Sequence, residues 1–263
     1  MTSKSTLVSS VSTEIESTLL GSAIAVGDKL PSERELAARM GVSRPVIREA
    51  LRQLQERGLV EAQPGRGTFY RPAEPADAAD SMNRLFRRAA VTPDQLIVAR
   101  KMLECEAAAL AAEHSTDHDC AVLERTLHAL SSSSSLLEQV KADISFHDGI
   151  AQASANPVIR LMFASISDIT VGLMVRSLSD RQVRQRGLPL HDEVFAAIVA
   201  GDPDRARTAM NDHLSAAEQL YGADLDREIG DLVPAGLRDA LAVLCGPESG
   251  GHQPVQFPLE TTG

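Results

Sequence analysis

The chain of 263 residues is long enough for two modest domains, each with its own core. Its net charge of −10 excludes a uniformly basic coat for nucleic acid, but the charge is uneven: the first 72 residues hold ten Lys/Arg against eight Asp/Glu, so only the N-terminal segment suits phosphate. Cys105, Cys120 and Cys245 lack metal-type pairing and fit a reducing cytoplasm better than a disulfide scaffold. The start, MTSKSTLVSS, lacks the apolar centre of a signal peptide, and no apolar run approaches a membrane span, so a soluble cytoplasmic protein with no membrane partner is expected.

Residues 8–20 read as a moderately apolar helix. The densest signal follows, in Pro31–Tyr70, PSERELAARMGVSRPVIREALRQLQERGLVEAQPGRGTFY. Ser32 is placed to cap a helix, its hydroxyl accepting from the Glu35 N–H while the Glu35 carboxylate reaches back. Leu36, Ala37 and Met40 follow at helical spacing, and Gly41 supplies a left-handed stop from which Val42 packs inward. Ser43 is expected to cap the next helix, with Pro45 in its first turn. Ile47, Leu51 and Leu54 face a core, which leaves Ser43, Arg44, Arg48 and Arg52 to point elsewhere from a helix whose N-terminus a helix-turn-helix pushes into the major groove. LVEAQ and TFY then read as strands joined by Pro64-Gly65-Arg66-Gly67, a turn that permits positive φ and sets Arg66 at a tip where it reaches the minor groove or a phosphate. This order of elements describes a winged helix-turn-helix. The rival reading, a merely solvated arginine face, leaves the co-occurrence of cap, turn glycine, N-terminal arginines and basic wing unexplained.

The prolines of Arg71-Pro72-Ala73-Glu74-Pro75 break helix and strand alike, which makes 1–72 the winged domain and 73–76 a stiff linker. Residues 77–228 are expected to form an antiparallel bundle of about seven helices, so the fold class is mainly α. The helices fall near 77–90, 93–114, 117–130, 136–154, 157–180, 189–200 and 203–222, with Gly187 to Pro189 separating the fifth from the sixth. From 229 to 263 nothing periodic persists except Leu237–Leu244, and a short helix followed by disorder is expected.

Asp143 and His147 are spaced i, i+4, which puts a carboxylate and an imidazole on one helical face about 6 Å apart at Cβ. His191 opens the sixth expected helix and His213 lies late in the seventh. If those helices converge, the Asp/His₃ set suits zinc, nickel or manganese and leaves coordination positions open; otherwise the histidines are satisfied core residues. Arg100 lies among Val98, Ala99, Leu103 and Ala107, where it needs either an anion or its neighbour Glu104. With no Trp and two Tyr a large stacked ligand is excluded, and a small organic acid fits better. His114, His118, His128 and His252 read as surface.

The segment GDKLPSERELAARMGVSRPVIREALRQLQERGLVEAQPGRGTF resembles the DNA-binding domain of the GntR family of bacterial transcription regulators. The resemblance implies that Arg34, Arg44 and Arg48 contact bases or phosphates, with Ser43 and Pro45 at the helix tip and Gly65 and Arg66 in the wing. VARKMLECEAAALAAE, ADISFHDGIAQASANP and HDEVFAAIVAGDPDRARTAMNDHL resemble the helical FCD effector domain of the FadR-like branch, so that the likeness covers roughly 25–222. It implies that Asp143, His147, His191 and His213 bind a metal, zinc first, and that Arg100 clamps an effector carboxylate, with Arg176 and Asn156 as further pocket candidates. The implied function is a metabolite-responsive regulator, a repressor, that binds operator DNA as a homodimer. Two rivals stand beside it. A metal-dependent enzyme lacks a general base once Asp143 is a ligand and gives the reading head no role, so no catalytic residue is assigned. A ligand-free DNA-binding protein would use the helical domain for dimerisation alone.

Overall fold

The computed structural model describes residues 4–21, 24–72, 82, 84–86, 88–234 and 237. They belong to two compact units, one containing Met1–Asp77 and the other Ala78–Gly251.

The first unit is built from α1 (Lys4–Leu20), α2 (Glu33–Met40), α3 (Arg44–Glu56), β1 (Val60–Gln63) and β2 (Gly67–Tyr70). Val8, Val11, Ile15 and Leu19 recur at helical spacing along α1 and pack with Ile47, Ala50 and Leu54 of α3. The capping box of α2 is complete: Glu35 N donates to Ser32 Oγ at 3.3 Å and Ser32 N to Glu35 Oε2 at 2.8 Å. Gly41 ends α2 in the left-handed region, at φ 64° and ψ 29°, which lets the chain turn sharply into α3. Ser43 departs from expectation. It holds the N-cap position of α3, but its side chain makes no capping bond. Its carbonyl takes Val46 N at 3.0 Å and Ile47 N at 3.3 Å, so the backbone alone closes the first turn. β1 and β2 pair antiparallel from Val60↔Tyr70 to Gln63↔Gly67. A bridge from Lys29 to Phe69 extends the sheet, with Leu30 N donating to Thr68 O at 2.8 Å. That extension is too short to announce itself as a strand in the sequence.

The second unit contains α4 (Pro93–His114), α5 (Asp117–Ser132), α6 (Leu136–Ala153), α7 (Pro157–Ser179), α8 (Arg181–Val199), α9 (Pro203–Tyr221), a 3₁₀ turn (Gly222–Asp226) and α10 (Ile229–Leu232). The buried alanines Ala107, Ala108 and Ala111 give α4 a shallow face, and α9 lies against it and against α8. The expected break at 187–189 is absent, and α8 begins at Arg181 because Asp180 Oδ1 accepts from Gln182 N at 2.8 Å and Val183 N at 3.3 Å. Gly187 and Pro189 therefore lie inside the helix, where Pro189 forfeits one bond to the carbonyl four residues back. The aperiodic tail expected from 229 also differs, since Ile229 opens α10, is 3% exposed and donates its N–H to Val91 O at 3.0 Å. It packs so tightly on α7 that a Cβ at Gly172 would lie 2.7 Å from Ile229 Cγ2. The linker 73–76, half of the helix expected at 77–90 and most of the tail lie outside the described residues.

One sequence expectation about membranes needs correction. α7 carries an 18-residue window of mean hydropathy 1.7, long and apolar enough by composition to span a bilayer. Half of that window is buried within the unit, with Phe163, Leu173, Met174 and Val175 among its core residues.

Candidate reading head and metal centre

In the winged unit α3 holds Arg44 and Arg48 on the surface, with side chains 62% and 66% exposed. Both reach Glu33 at the start of α2. Arg48 Nε donates to Glu33 Oε1 at 3.1 Å and Nη2 to Oε2 at 2.9 Å, and Arg44 Nη2 lies 3.7 Å from Oε2. The bond from Arg48, aided by the positive charge of Arg48 and Arg44 and opposed by burial, holds the Glu33 carboxyl below its ordinary range. An exposed pair of this kind adds little stability but fixes direction. Arg52 instead takes Glu49 and Glu56 of its own helix, as a solvated face would. Arg34, Ser43 and Pro45 are exposed beside them. In the wing, Gly65 has φ 73° and the Arg66 guanidinium lies 5.4 Å from the ring centroid of Phe69 in β2, the strand that follows it. Lys29 was not singled out in the sequence. It approaches so closely that a Cβ at Gly67, whose φ is 118°, would fall 2.6 Å from its Cε.

The second unit brings four sequence-selected residues together from three helices. Asp143 and His147 share one face of α6, His191 comes from α8 and His213 from α9, and one ring nitrogen from each histidine lies within 4.8 Å of the others. Asp143 Oδ1 is 2.9 Å from His191 Nε2 and 3.5 Å from His147 Nε2. Outer contacts turn both Nε2 atoms inward: Glu104 engages His147 Nδ1, and the Gly187 carbonyl lies 3.1 Å from His191 Nδ1. His147 Nε2 and His213 Nδ1 are buried without a hydrogen-bond partner among the described residues. Orphaned polar nitrogens in a core are costly, and a cation would satisfy them. Three imidazoles and a carboxylate are a donor set for zinc, nickel or manganese, so the residues fit a divalent metal.

The charges around this centre are mutually held. Burial would raise Glu104, but the Arg100 charge, His147 and their hydrogen bonds hold it down to about 2. Burial likewise opposes ionisation of Asp143, yet the imidazoles of His147 and His191 beside it keep it well below the usual carboxylate range. Burial, followed by the repulsion of His191 and His147, pushes His213 well below an ordinary histidine, so it stays neutral and able to ligate.

Arg100 is 6% exposed and pairs with Glu104, Nε to Oε1 at 2.6 Å and Nη2 to Oε2 at 3.3 Å. It lines a cavity, partly open to solvent, that it shares with Asp143, His147, His191 and His213. Asn156 and Arg176 are placed elsewhere. Asn156 Oδ1 caps α7 by accepting from Val158 N at 3.0 Å and Ile159 N at 3.3 Å. Arg176 donates to Asp224 at 2.7 Å and Asp180 at 3.1 Å, and neither residue lines the cavity. Ser177 and Arg184 line it instead, and no sequence signal marked them. Of the other histidines, His114, His118 and His128 are exposed, and His252 is outside the described residues.

Residues 7–69 match the family described as bacterial regulatory proteins, gntR family, and residues 95–216 match the FCD domain. The HTH-type transcriptional regulator LutR of Bacillus subtilis (strain 168) is 31% identical over 212 residues, covering 77% of this chain and 95% of its own. The Glc operon transcriptional activator of Escherichia coli (strain K12) is 30% identical over 227 residues, covering 82% of this chain and 89% of its own. Among solved structures, a Streptococcus agalactiae GntR superposes with a TM-score of 0.59 at 26% identity, covering 81% of this chain and 99% of that one. These relatives are regulators rather than enzymes, and the chain belongs to the GntR family of DNA-binding transcription regulators, in its FadR-like architecture with a winged helix-turn-helix and a helical FCD effector domain.

Proposed function

We propose that the protein is a cytoplasmic, homodimeric repressor. Arg34, Arg44 and Arg48, with Ser43 and Pro45 at the helix tip and Gly65 and Arg66 in the wing, would read a pseudo-palindromic operator, since one recognition helix covers few base pairs and a two-fold axis doubles the site. Asp143, His147, His191 and His213 would hold zinc, and a small carboxylate would bind at the metal's open positions and Arg100. The observation that carries this reading is the pair of buried histidine nitrogens left without partners at the convergence of three helices. Arg100 spends Nε and Nη2 on Glu104, and its Nη1 protons remain for an anion. Stripes of exposed apolar residues support the dimer: Val98 and Met102 on α4, the latter 73% exposed, and Val158, Leu161 and Met162 on α7. Repression requires only that the operator be occupied.

For the carboxylate to act, it needs only to prefer one arrangement of the two reading heads. A coupling of about 1–3 kcal/mol changes operator affinity roughly 5- to 150-fold, and reciprocity gives DNA the same effect on the ligand. Calorimetric titration of small carboxylates into zinc-loaded protein, with and without an operator selected from random duplexes, is the test. The expected result is an acid affinity that shifts when operator is present. An unchanged affinity would mean that the helical domain does not report that acid to the DNA.

A further inference from the structure

We infer that Arg184 makes this cavity selective for a dianion, a small dicarboxylate with one end at the histidine centre and the other at the Arg184 guanidinium. The inference rests on the reading above that a metal and a carboxylate share the cavity. Charge balance gives the first argument. With a divalent ion bound, its histidine ligands are neutral, Arg100 and Glu104 cancel, and Asp143 offsets one of the ion's two charges. One excess positive charge remains, which a monocarboxylate would satisfy. Arg184 adds a second, and the cavity then balances with two negative charges rather than one.

Geometry gives the second. Arg184, Gly187 and His191 all line the cavity from α8 at i, i+3 and i+7, which places them along one helical stripe. Gly187 leaves the space between the other two clear, since a Cβ built there meets nothing within 4 Å. The other donors are committed: Arg100 serves Glu104 through Nε and Nη2 and keeps only Nη1 for the end of the ligand at the histidine centre, and the Ser177 hydroxyl is bonded to the Tyr221 hydroxyl. Arg184 is half-buried, and among the described residues its guanidinium meets no carboxylate, only the Leu178 carbonyl at 3.4 Å. A bidentate guanidinium with no carboxylate partner beside an open groove is suited to capture one from the ligand.

The test titrates the full-length, zinc-loaded protein with malonate, succinate and glutarate, each paired with the monocarboxylate of equal length, propionate, butyrate and valerate. At least one dicarboxylate should bind tighter than its partner by about tenfold or more, the scale of a charge-assisted hydrogen bond. Arg184→Gln should reduce that ratio to about unity while leaving monocarboxylate affinity in place. Gly187→Leu, which fills the groove and keeps the Arg184 guanidinium, should weaken the dicarboxylate more than the monocarboxylate. Equal binding of the two series by the native protein, or a ratio that survives Arg184→Gln, overturns the inference and leaves the carboxylate reading standing. Binding of no acid in either series overturns both.

Discussion

In the winged unit Arg44, Arg48 and Arg52 lie on the surface, paired to glutamates of α2 and α3 above an apolar core. In the helical unit Arg100, Glu104, Asp143, His147 and His191 are each at most 6% exposed and lie inside the core. Surface charges exchange partners cheaply, because water covers any interval without one, and Glu33 can yield Arg44 and Arg48 to a phosphate or a base edge. Buried charges cannot be left alone. Any event at the second centre must therefore replace one partner with another, a fitting property for a sensor and an unnecessary one for a reading head.

The contrast breaks most visibly at Glu104, which holds Arg100 on one side and His147 on the other. Glu104→Ala should cost about 3–5 kcal/mol of folding stability, because it leaves a buried guanidinium unpaired. Urea unfolding followed by circular dichroism measures this, and a loss under about 1 kcal/mol would show that water already reaches the network. Arg48→Ala should do the opposite. The melting temperature should hold while operator affinity, read by fluorescence anisotropy, drops about 5- to 150-fold, the worth of one good base contact. Equal affinity for a selected operator would remove Arg48 from the interface. The smallest effect is expected at Gly41, where φ is 64°. Gly41→Ala should cost about 1–2 kcal/mol from the left-handed backbone alone, confined to the transition of the winged unit.

The two units also differ in how much of them the sequence displays. Most of the winged unit's signals are local: Ser32 and Glu35 are three apart, Gly41 follows its helix directly and the wing glycines adjoin. What escaped there were the one-residue bridge from Lys29 to Phe69 and the idle hydroxyl of Ser43. In the helical unit only Asp143 and His147 announce themselves by spacing. That His191 and His213 meet them depends on how α6, α8 and α9 pack, which was expected from family resemblance rather than derived from periodicity. Glu104 reaches His147 across 43 positions of sequence, so its second role is invisible before folding. Gly187 and Pro189 misled because breakers mark helix ends only on average. Asp180 had already nucleated α8, and Gly187 serves the site by lending its carbonyl to His191. Arg184, which no motif marks, comes to line the cavity only once α8 is continuous from Arg181.

A metal centre and an ordinary buried core differ in what these histidines retain through dialysis. The most direct test is the divalent metal content, by mass spectrometry, of purified protein dialysed against zinc and then against metal-free buffer, for the native chain and for His147→Ala and His213→Ala. About one ion per native chain and a clear loss in both variants are expected, since each substitution removes one of the four proposed ligands. Native protein without metal, or undiminished stoichiometry in both variants, would contradict a metal centre.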